Sequence, residues 1–398
     1  MPFFDHSGEF RSPEIMAFPA YSVRVIADGV ASVPRETWNQ LAGTEAPHLC
    51  HEFLAALELQ HCLGRRVGWH ASPWLVEDEA GRVIAGLPVY AKDNSFGEFV
   101  FDWAWAEAYQ RHDVPYYPKW VVAAPFTPAS ARKFLLSPEC SDTSVTETLL
   151  RRVLASAKEQ EISSVHFLFT DEPVLRNAGL IHRIGCQFHW RNQGYRDFRD
   201  FLETLTAKRR KEILRERRKV IEAGIKIQRR SGDELSANDW ARFHELYRST
   251  FEKHANFPAL TLGFFQSIGK TMGEKILLVE AVSEEQLVAS AFFMVSENTL
   301  YGRYWGAYEE VPALHFEVCY YQGIEFAIER GLSVFEPGAQ GEHKISRGFL
   351  PVKTHSYHWI GHEGFRDAIS RHVMLENRHM ESYIQGCEER SPYRTDPC

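Results

Sequence analysis

The densest run of reactive side chains is Phe335-Glu336-Pro337-Gly338-Ala339-Gln340-Gly341-Glu342-His343-Lys344-Ile345-Ser346-Arg347-Gly348-Phe349. It leaves a predicted strand, turns on three glycines and brings Glu336, Gln340, His343, Lys344 and Arg347 within twelve residues, as loops that hold substrates do. Glycine lets a backbone approach a ligand closely, His343 titrates near neutrality and Lys344 adds a positive charge. Proton transfer and anion binding are the chemistry such a set supports. The competing reading is a solvated turn, because glycine and proline also serve backbone geometry. Just upstream, a predicted helix over Ala313–Arg330 sets Glu317, Tyr321 and Glu325 four residues apart on one face, beside Leu314, Val318 and Ile328. A carboxylate there either finds a partner or has its pKa raised. The second case makes Glu317 a general base for an amine nucleophile, the first a structural acid. His315, Tyr320 and Gln322 fall off that face and are read as supporting residues. Tyr304, on a predicted strand, joins Tyr321, Glu336, Gln340 and Arg347 as a substrate contact.

The first half holds a loop-rich aromatic stretch running from Lys92 through Trp103, Trp105 and Tyr116-Tyr117-Pro118-Lys119 to Arg132. Aromatic faces with bases can clamp a sugar or nucleotide, so Tyr117, Lys119 and Arg132 are candidate substrate residues, the two bases on phosphates. An aromatic core with peripheral bases reads the same way in sequence. Between Lys208 and Lys219 eight bases face two acids, a local charge of +6 that leaves -14 on the rest of a chain whose net charge is -8. This stripe is a docking place for a phosphate-bearing partner such as RNA, with Arg210, Arg215 and Arg218 as contacts. Leu202, Leu205, Ile213, Leu214, Val220 and Ile221 form an apolar stripe on the same helix, which fits a solvated linker equally well.

Other chemistries lose their support. Cys50-His51 and His61-Cys62 flank a helix whose eleven residues at ~1.5 Å each separate them by roughly 16 Å, while zinc ligands lie ~2 Å from the ion, so no metal is shared. H-E-x-x-H, G-x-x-x-x-G-K-[ST] and G-x-S-x-G are all absent. Seven scattered cysteines without a C-x-x-C pair suit reduced thiols. No apolar run approaches the ~18–20 residues of a membrane span, and Met1–Met16 carries Asp5, Glu9, Arg11 and Glu14 where a secretory signal is apolar, so a cytoplasmic protein is expected.

Length and pattern then say what positions these residues. At 398 residues, with 44% hydrophobic and 13% aromatic side chains, the chain has material for two folded domains. The first half reads as a strand near Tyr21–Ile26, helices near Arg35–Leu41 and Glu52–Cys62, a hairpin Trp74–Glu77 and Val83–Ala91, a strand near Glu98–Trp103, a helix Thr143–Glu159, a strand Val165–Phe169, a short helix from Glu172 and a strand near Cys186–Arg191. The second half repeats that order at an offset near 203: strand Ile225–Gln228, helices Ala237–Glu252 and Thr261–Met272, strands Ile276–Val282, Leu287–Val295 and Leu300–Ala307, helix Ala313–Arg330, then strands Val334–Glu336 and Thr354–Ile360. The expected organisation is an extension over 1–20, a first α/β (α+β) domain over 21–195, a basic linker helix over 196–224, a second domain over 225–365 and a C-terminal helix and tail over 366–398, each domain a mixed sheet flanked by helices.

Four blocks carry a resemblance: YYPKWVVAAPFTPASAR, QFHWRNQGY, KRRKEILRERRKV and HFEVCYYQGIEFAIERGLSVFEPGAQGEHKISRGFLP. Together they resemble the FemAB-like peptidoglycan biosynthesis/recognition family, over roughly 22–390, which implies tandem GNAT-like domains. Fem aminoacyltransferases move an amino acid from aminoacyl-tRNA to an amine on a peptidoglycan precursor, and they carry Phe-Lys and Gly-Phe after a Gly-rich strand exit. Glu342-His343-Lys344 and Arg347-Gly348-Phe349 stand in a similar position here, with His343 in place of Phe, which implies that Lys344 contacts the RNA end of the donor. Acetyl-CoA enzymes of GNAT type show [QR]-x-x-G-x-[GA] before the long helix, where backbone N–H groups bind pyrophosphate. Here Tyr308-Glu309-Glu310-Val311-Pro312-Ala313-Leu314 is acidic and lacks glycine, which disfavours acyl-CoA. The resemblance thus implies a Fem-type N-acyltransferase without a cofactor, using aminoacyl-tRNA as co-substrate; the residues' own positions make Glu317 or His343 the expected acceptor of the ammonium proton. An acyl-CoA-dependent enzyme and a non-catalytic module that recognises a precursor or RNA are the alternatives.

Overall fold

Apolar runs too continuous for a one-sided strand become central strands buried on both faces, as in the hairpin of Ile276–Ser283 and Gln286–Val295. The computed structural model describes Tyr21 to Arg394 except residues 141, 143, 254, 255 and 340. The expected 1–20 extension and Gln340 therefore lie outside the described residues. Two sheets form. The smaller pairs Ser22–Val25, Trp74–Glu77, Val83–Leu87 and Leu135–Leu136. The larger has eleven strands, in the order Lys226–Ser231, Ile276–Ser283, Gln286–Val295, Thr299–Ala307, Val334–Glu336, Ile181–Arg191, Leu350–Ile360, Ser164–Leu168, Lys119–Val122, Val89–Lys92 and Trp69–Ala71.

Two parallel pairs stand among the described strands of that sheet, one in each half. Lys119–Val122 runs alongside Ser164–Leu168, and Thr299–Ala307 alongside Val334–Glu336. Each pair is joined by a crossover, Ser144–Glu159 in the first half and the segment Leu314–Glu329 in the second, so the repeat read in the sequence is real at the level of topology. The halves are not closed separately. Leu350–Ile360, which belongs to the second half in sequence, inserts between Ser164–Leu168 and Ile181–Arg191 of the first, while Trp190 and Arg191 pair with Phe335 and Val334 of the second. A division at 195 and 225 consequently cuts across one continuous sheet. Helix Glu363–Glu388 covers the exchanged strands, and one apolar core draws on both halves, with Phe53 edge-on to Phe264 at 5.4 Å.

Several elements depart from the sequence reading: strands Trp69–Ala71, Lys119–Val122 and Leu135–Leu136 are absent from it, and Val83–Ala91 divides into Val83–Leu87 and Val89–Lys92 in different sheets. The stretch read as strand Glu98–Trp103 is a loop up to Asp102, followed by helix Trp103–Arg111; Gly97 and Phe99 take positive φ, and Glu98 and Asp102 are buried. The basic linker is two helices, Phe198–Thr204 and Ala207–Glu222, parted where Leu205 bridges to Tyr393. The helix after Ala313 contains a π turn, Glu317–Tyr321, which shifts its faces relative to a uniform 3.6-residue period. Among the described residues no helix is long and apolar enough to cross a membrane.

Candidate functional site

The parallel pair of the second half generates the site. Strands Thr299–Ala307 and Val334–Glu336 are paired as far as the Tyr301 and Glu336 register, and beyond it the chain of Val334–Glu336 leaves the sheet at Pro337. Gly302 permits the close approach at the fork, since a Cβ there would come within 3.2 Å of the Pro337 Cα. The fork opens into a slot of about 130 Å³ lined by Arg303, Tyr304, Trp305, His315, Cys319, Tyr320 and Pro337, among others. Trp305 and His315 also line an open pocket of about 800 Å³ with Lys253, Glu309, Glu310 and Pro312. A narrow slot behind a wide mouth suits a small group carried on a large donor.

A short helix at Glu342–Arg347 packs behind Tyr320, one of the slot's lining residues. It presents His343, whose Nε2 lies 2.8 Å from the Tyr320 hydroxyl. Lys344 is buried, donates from Nζ to the Gly338 carbonyl at 2.8 Å and sits 6.0 Å from the centre of the Tyr320 ring. It has no carboxylate partner among the described residues, and burial brings its pKa down to about 8. Burial, then the charges of Lys344 and Arg347, lowers His343; burial, then His343, Lys344 and Arg347, brings His315 down to about 4. At neutral pH the slot therefore has the uncharged His315 imidazole in its lining, with the uncharged His343 and the buried Lys344 cation behind Tyr320; such groups can accept a proton and stabilise developing negative charge respectively.

On the opposite face, between the two halves, Glu336 ends its strand. Burial drives its carboxyl up to about 8 against the opposing charges of Arg303, Lys133 and Arg191. Its Oε2 is buried without a hydrogen-bond partner, and its Oε1 is 3.9 Å from His189 Nδ1.

A family model described as peptidoglycan biosynthesis/recognition, FemAB-like, matches residues 29–395. The chain belongs to the FemAB-like family. Its fold is similar to that of FemX at 12% identity and a TM-score of 0.53, covering 88% of this chain and 100% of that one. A conserved protein of unknown function from Bacteroides thetaiotaomicron gives a TM-score of 0.51 at 9% identity, with 85% and 99% covered. L-PGS from Bacillus licheniformis gives 0.50 at 12% identity, with 85% and 95% covered. A comparison with curated proteins finds no match.

The FemAB-like architecture sorts the residues singled out in the sequence into different places. Tyr304 is a wall residue of the slot, and His343 and Lys344 stand behind another, Tyr320. Glu317 is not an unpartnered base: Arg217 donates to its oxygens at 3.0 and 2.9 Å, and Gln322 donates at 2.8 Å. Tyr321 and Arg347 both bind Glu216, and the Arg347 guanidinium also lies 3.4 Å from the centre of the Phe316 ring. These three residues fasten the basic helix to the segment behind the slot. Lys119 is wholly buried, donating to Glu98 at 2.8 Å, to Ser95 at 3.0 Å and to Asp102, so it cannot reach a phosphate. The Tyr117 hydroxyl is 2.8 Å from that of Ser95, and Arg132 is exposed, 3.9 Å from Glu45. Arg215 and Arg218 are exposed and Arg210 half-buried, without ion-pair partners among the described residues. Arg303, Lys133, His189 and His48 escaped the sequence reading. They are scattered over 255 positions and acquire a common neighbourhood only through the strand exchange. His315 and Tyr320, read as supporting residues, both line the slot; Tyr320 lies within the π turn and His315 just before it.

Proposed function

We propose that this FemAB-like protein is an N-acyltransferase that moves an (amino)acyl group from aminoacyl-tRNA to an amine of a peptidoglycan precursor or a related metabolite. The observation that carries the reading is the slot at the fork of the parallel strands, with His343 and the buried Lys344 beside it. The donor's acyl carbonyl enters the slot, the amine attacks it, and Lys344 steadies the oxyanion as charge develops. The wide mouth argues for the donor. Glu309 and Glu310 line it, and the residue capping the following helix, Ala313, has φ 70°. Two acids and no glycine turn stand where an acyl-CoA enzyme offers backbone N–H groups to pyrophosphate, which supports a different donor. Exposed Arg215 and Arg218, with Arg210, offer phosphate contacts to RNA on a helix fastened directly to the segment behind the slot.

Charged tRNA and acetyl-CoA offered separately, with an amine acceptor, test the reading. Product is expected from charged tRNA, and Lys344→Ala is expected to lower kcat by about 10²–10³-fold with acceptor affinity kept. Transfer from acetyl-CoA alone would overturn the donor, and full turnover by Lys344→Ala would remove the chemistry from this loop.

A further inference from the structure

We propose that Glu336 is the general base of this transfer: the acceptor amine approaches the fork from the face between the two halves, opposite His315 and Tyr320, and gives its ammonium proton to the Glu336 carboxylate. This deepens the acyltransferase reading and rests on it.

Position is the first support. Glu336 stands across from Tyr301 at the last paired register of the strands, and the next residue, Pro337, lines the slot. Arg303 lines the slot as well, and its charge acts on Glu336, which couples the two faces of the fork electrostatically. The second support is unused hydrogen-bonding capacity. The Glu336 side chain accepts no hydrogen bond from any described residue, whereas Glu317 spends both oxygens on Arg217. Buried carboxyl oxygens are rarely left so without a ligand or a task. About 13% of the side chain remains exposed, which gives a substrate access.

Of the charges that act on Glu336, Lys133 and Arg303 have donors committed elsewhere, and Arg191 is exposed. Lys133 Nζ donates to the carbonyls of Ala131 and Phe169 at 3.0 and 3.1 Å, with Glu172 as its nearer carboxylate influence. Arg303 donates to the Phe126 carbonyl. His189 is 3.2 Å from Gln187 and stays neutral, its pKa brought down to about 3 by burial and by Arg191 and Lys344. His48, fully buried with both ring nitrogens unpartnered, stands edge-on to Tyr301 at 5.3 Å and is held neutral by burial, Lys133 and Arg303. Two unpartnered buried polar groups thus share one neighbourhood beside Tyr301.

The step balances simply. The substrate ammonium gives one proton to Glu336, the freed amine forms the C–N bond at the ester carbonyl, and the ester C–O bond breaks. The second amine proton passes to the departing ribose hydroxyl oxygen, and Glu336 returns its proton to water. A carboxyl whose pKa lies near 8 is matched to this exchange far better than an ordinary one.

The experiment has two arms on wild type, Glu336→Gln and Glu336→Asp. The first is thermal melting from pH 5 to pH 8 without substrate. A folded-state pKa above the unfolded value of 4.5 means that the native protein holds the proton more tightly. Wild type therefore loses stability as pH rises toward 8, and Glu336→Gln does not. The Tm difference should grow in favour of Glu336→Gln across this window; a flat difference would show an ordinary carboxyl and overturn the proposal. The second arm is transfer from charged tRNA. Glu336→Gln should lose about 10²–10⁴-fold in kcat and the break near pH 8 in its rate profile, while Glu336→Asp recovers part of both. Equal turnover by Glu336→Gln would overturn the base role even with the expected melting curves. Failure of wild type to transfer to any amine would defeat the acyltransferase reading and the base role together, with the melting arm still reporting whether the buried carboxyl titrates as described.

Discussion

The ammonium of Lys119 sits wholly buried between the carboxylates of Glu98 and Asp102 and the hydroxyl of Ser95, with Lys92 beside Glu98 at 4.0 Å. Its value to the protein is thus conformational, since it pins the loop that leads into helix Trp103–Arg111. Replacing it by methionine leaves two buried carboxylates without their partner, and unfolding free energy should fall by ~3–5 kcal/mol in urea titrations, while acceptor affinity of the folded fraction stays as in wild type. A drop in affinity at unchanged stability would return Lys119 to the substrate side. Residue type and loop context cannot separate these roles, because a phosphate and a buried carboxylate ask the same of a lysine. A neighbouring pair makes the point sharper. Arg132 is the more conspicuous base in the sequence and faces solvent, while Lys133 points inward and is 1% exposed. His343 and Lys344 were legible because three glycines force the backbone of their own segment to turn, a local cause with a local signature.

At the scale of elements, the basic helix Ala207–Glu222 divides its charges by face. Arg217 binds Glu317 and Glu325, and Glu216 binds Arg347 and Tyr321, all toward the slot segment. Arg215 and Arg218 face outward. Charge reversal at Arg215 and Arg218 should leave the melting temperature near wild type, weaken RNA binding and flatten its salt dependence by about one unit of slope for each phosphate that is no longer neutralised. Glu317→Gln belongs to the inward set: it should cost ~1–3 kcal/mol of stability by weakening a charged hydrogen-bond pair, with kcat unchanged within a few-fold. A large drop in kcat at full stability would make Glu317 chemical after all. Apolar periodicity identified this helix and the crossover at Leu314–Glu329, yet not which charges turn inward. That depends on the π turn at Glu317–Tyr321 and on the break at Leu205, and neither leaves a mark on an i, i+4 count.

Across the whole molecule, the internal repeat was legible because each half writes the same succession of strand and helix patterns. The partner of Leu350–Ile360 was not, since alternation says that a segment is a strand and is silent on which neighbour it joins. That strand pairs with Ile181–Arg191 from Leu350 to His358 and with Ser164–Leu168 from Ser356 to Ile360. A chain ending at Phe349 should therefore lack a cooperative melting transition and be digested rapidly by protease over its first half as well as its second. A folded, protease-resistant fragment over 21–195 would disprove this dependence. The same exchange bears on how the chain comes off the ribosome. Synthesis is vectorial, and the gap beside Ser164–Leu168 can be filled only after nearly two hundred further residues have been added, so the first half must wait with an open sheet edge while the second is made. The protein reaches its native state late and as one piece, which makes the nascent chain a natural client for whatever shields unpaired strand edges during translation.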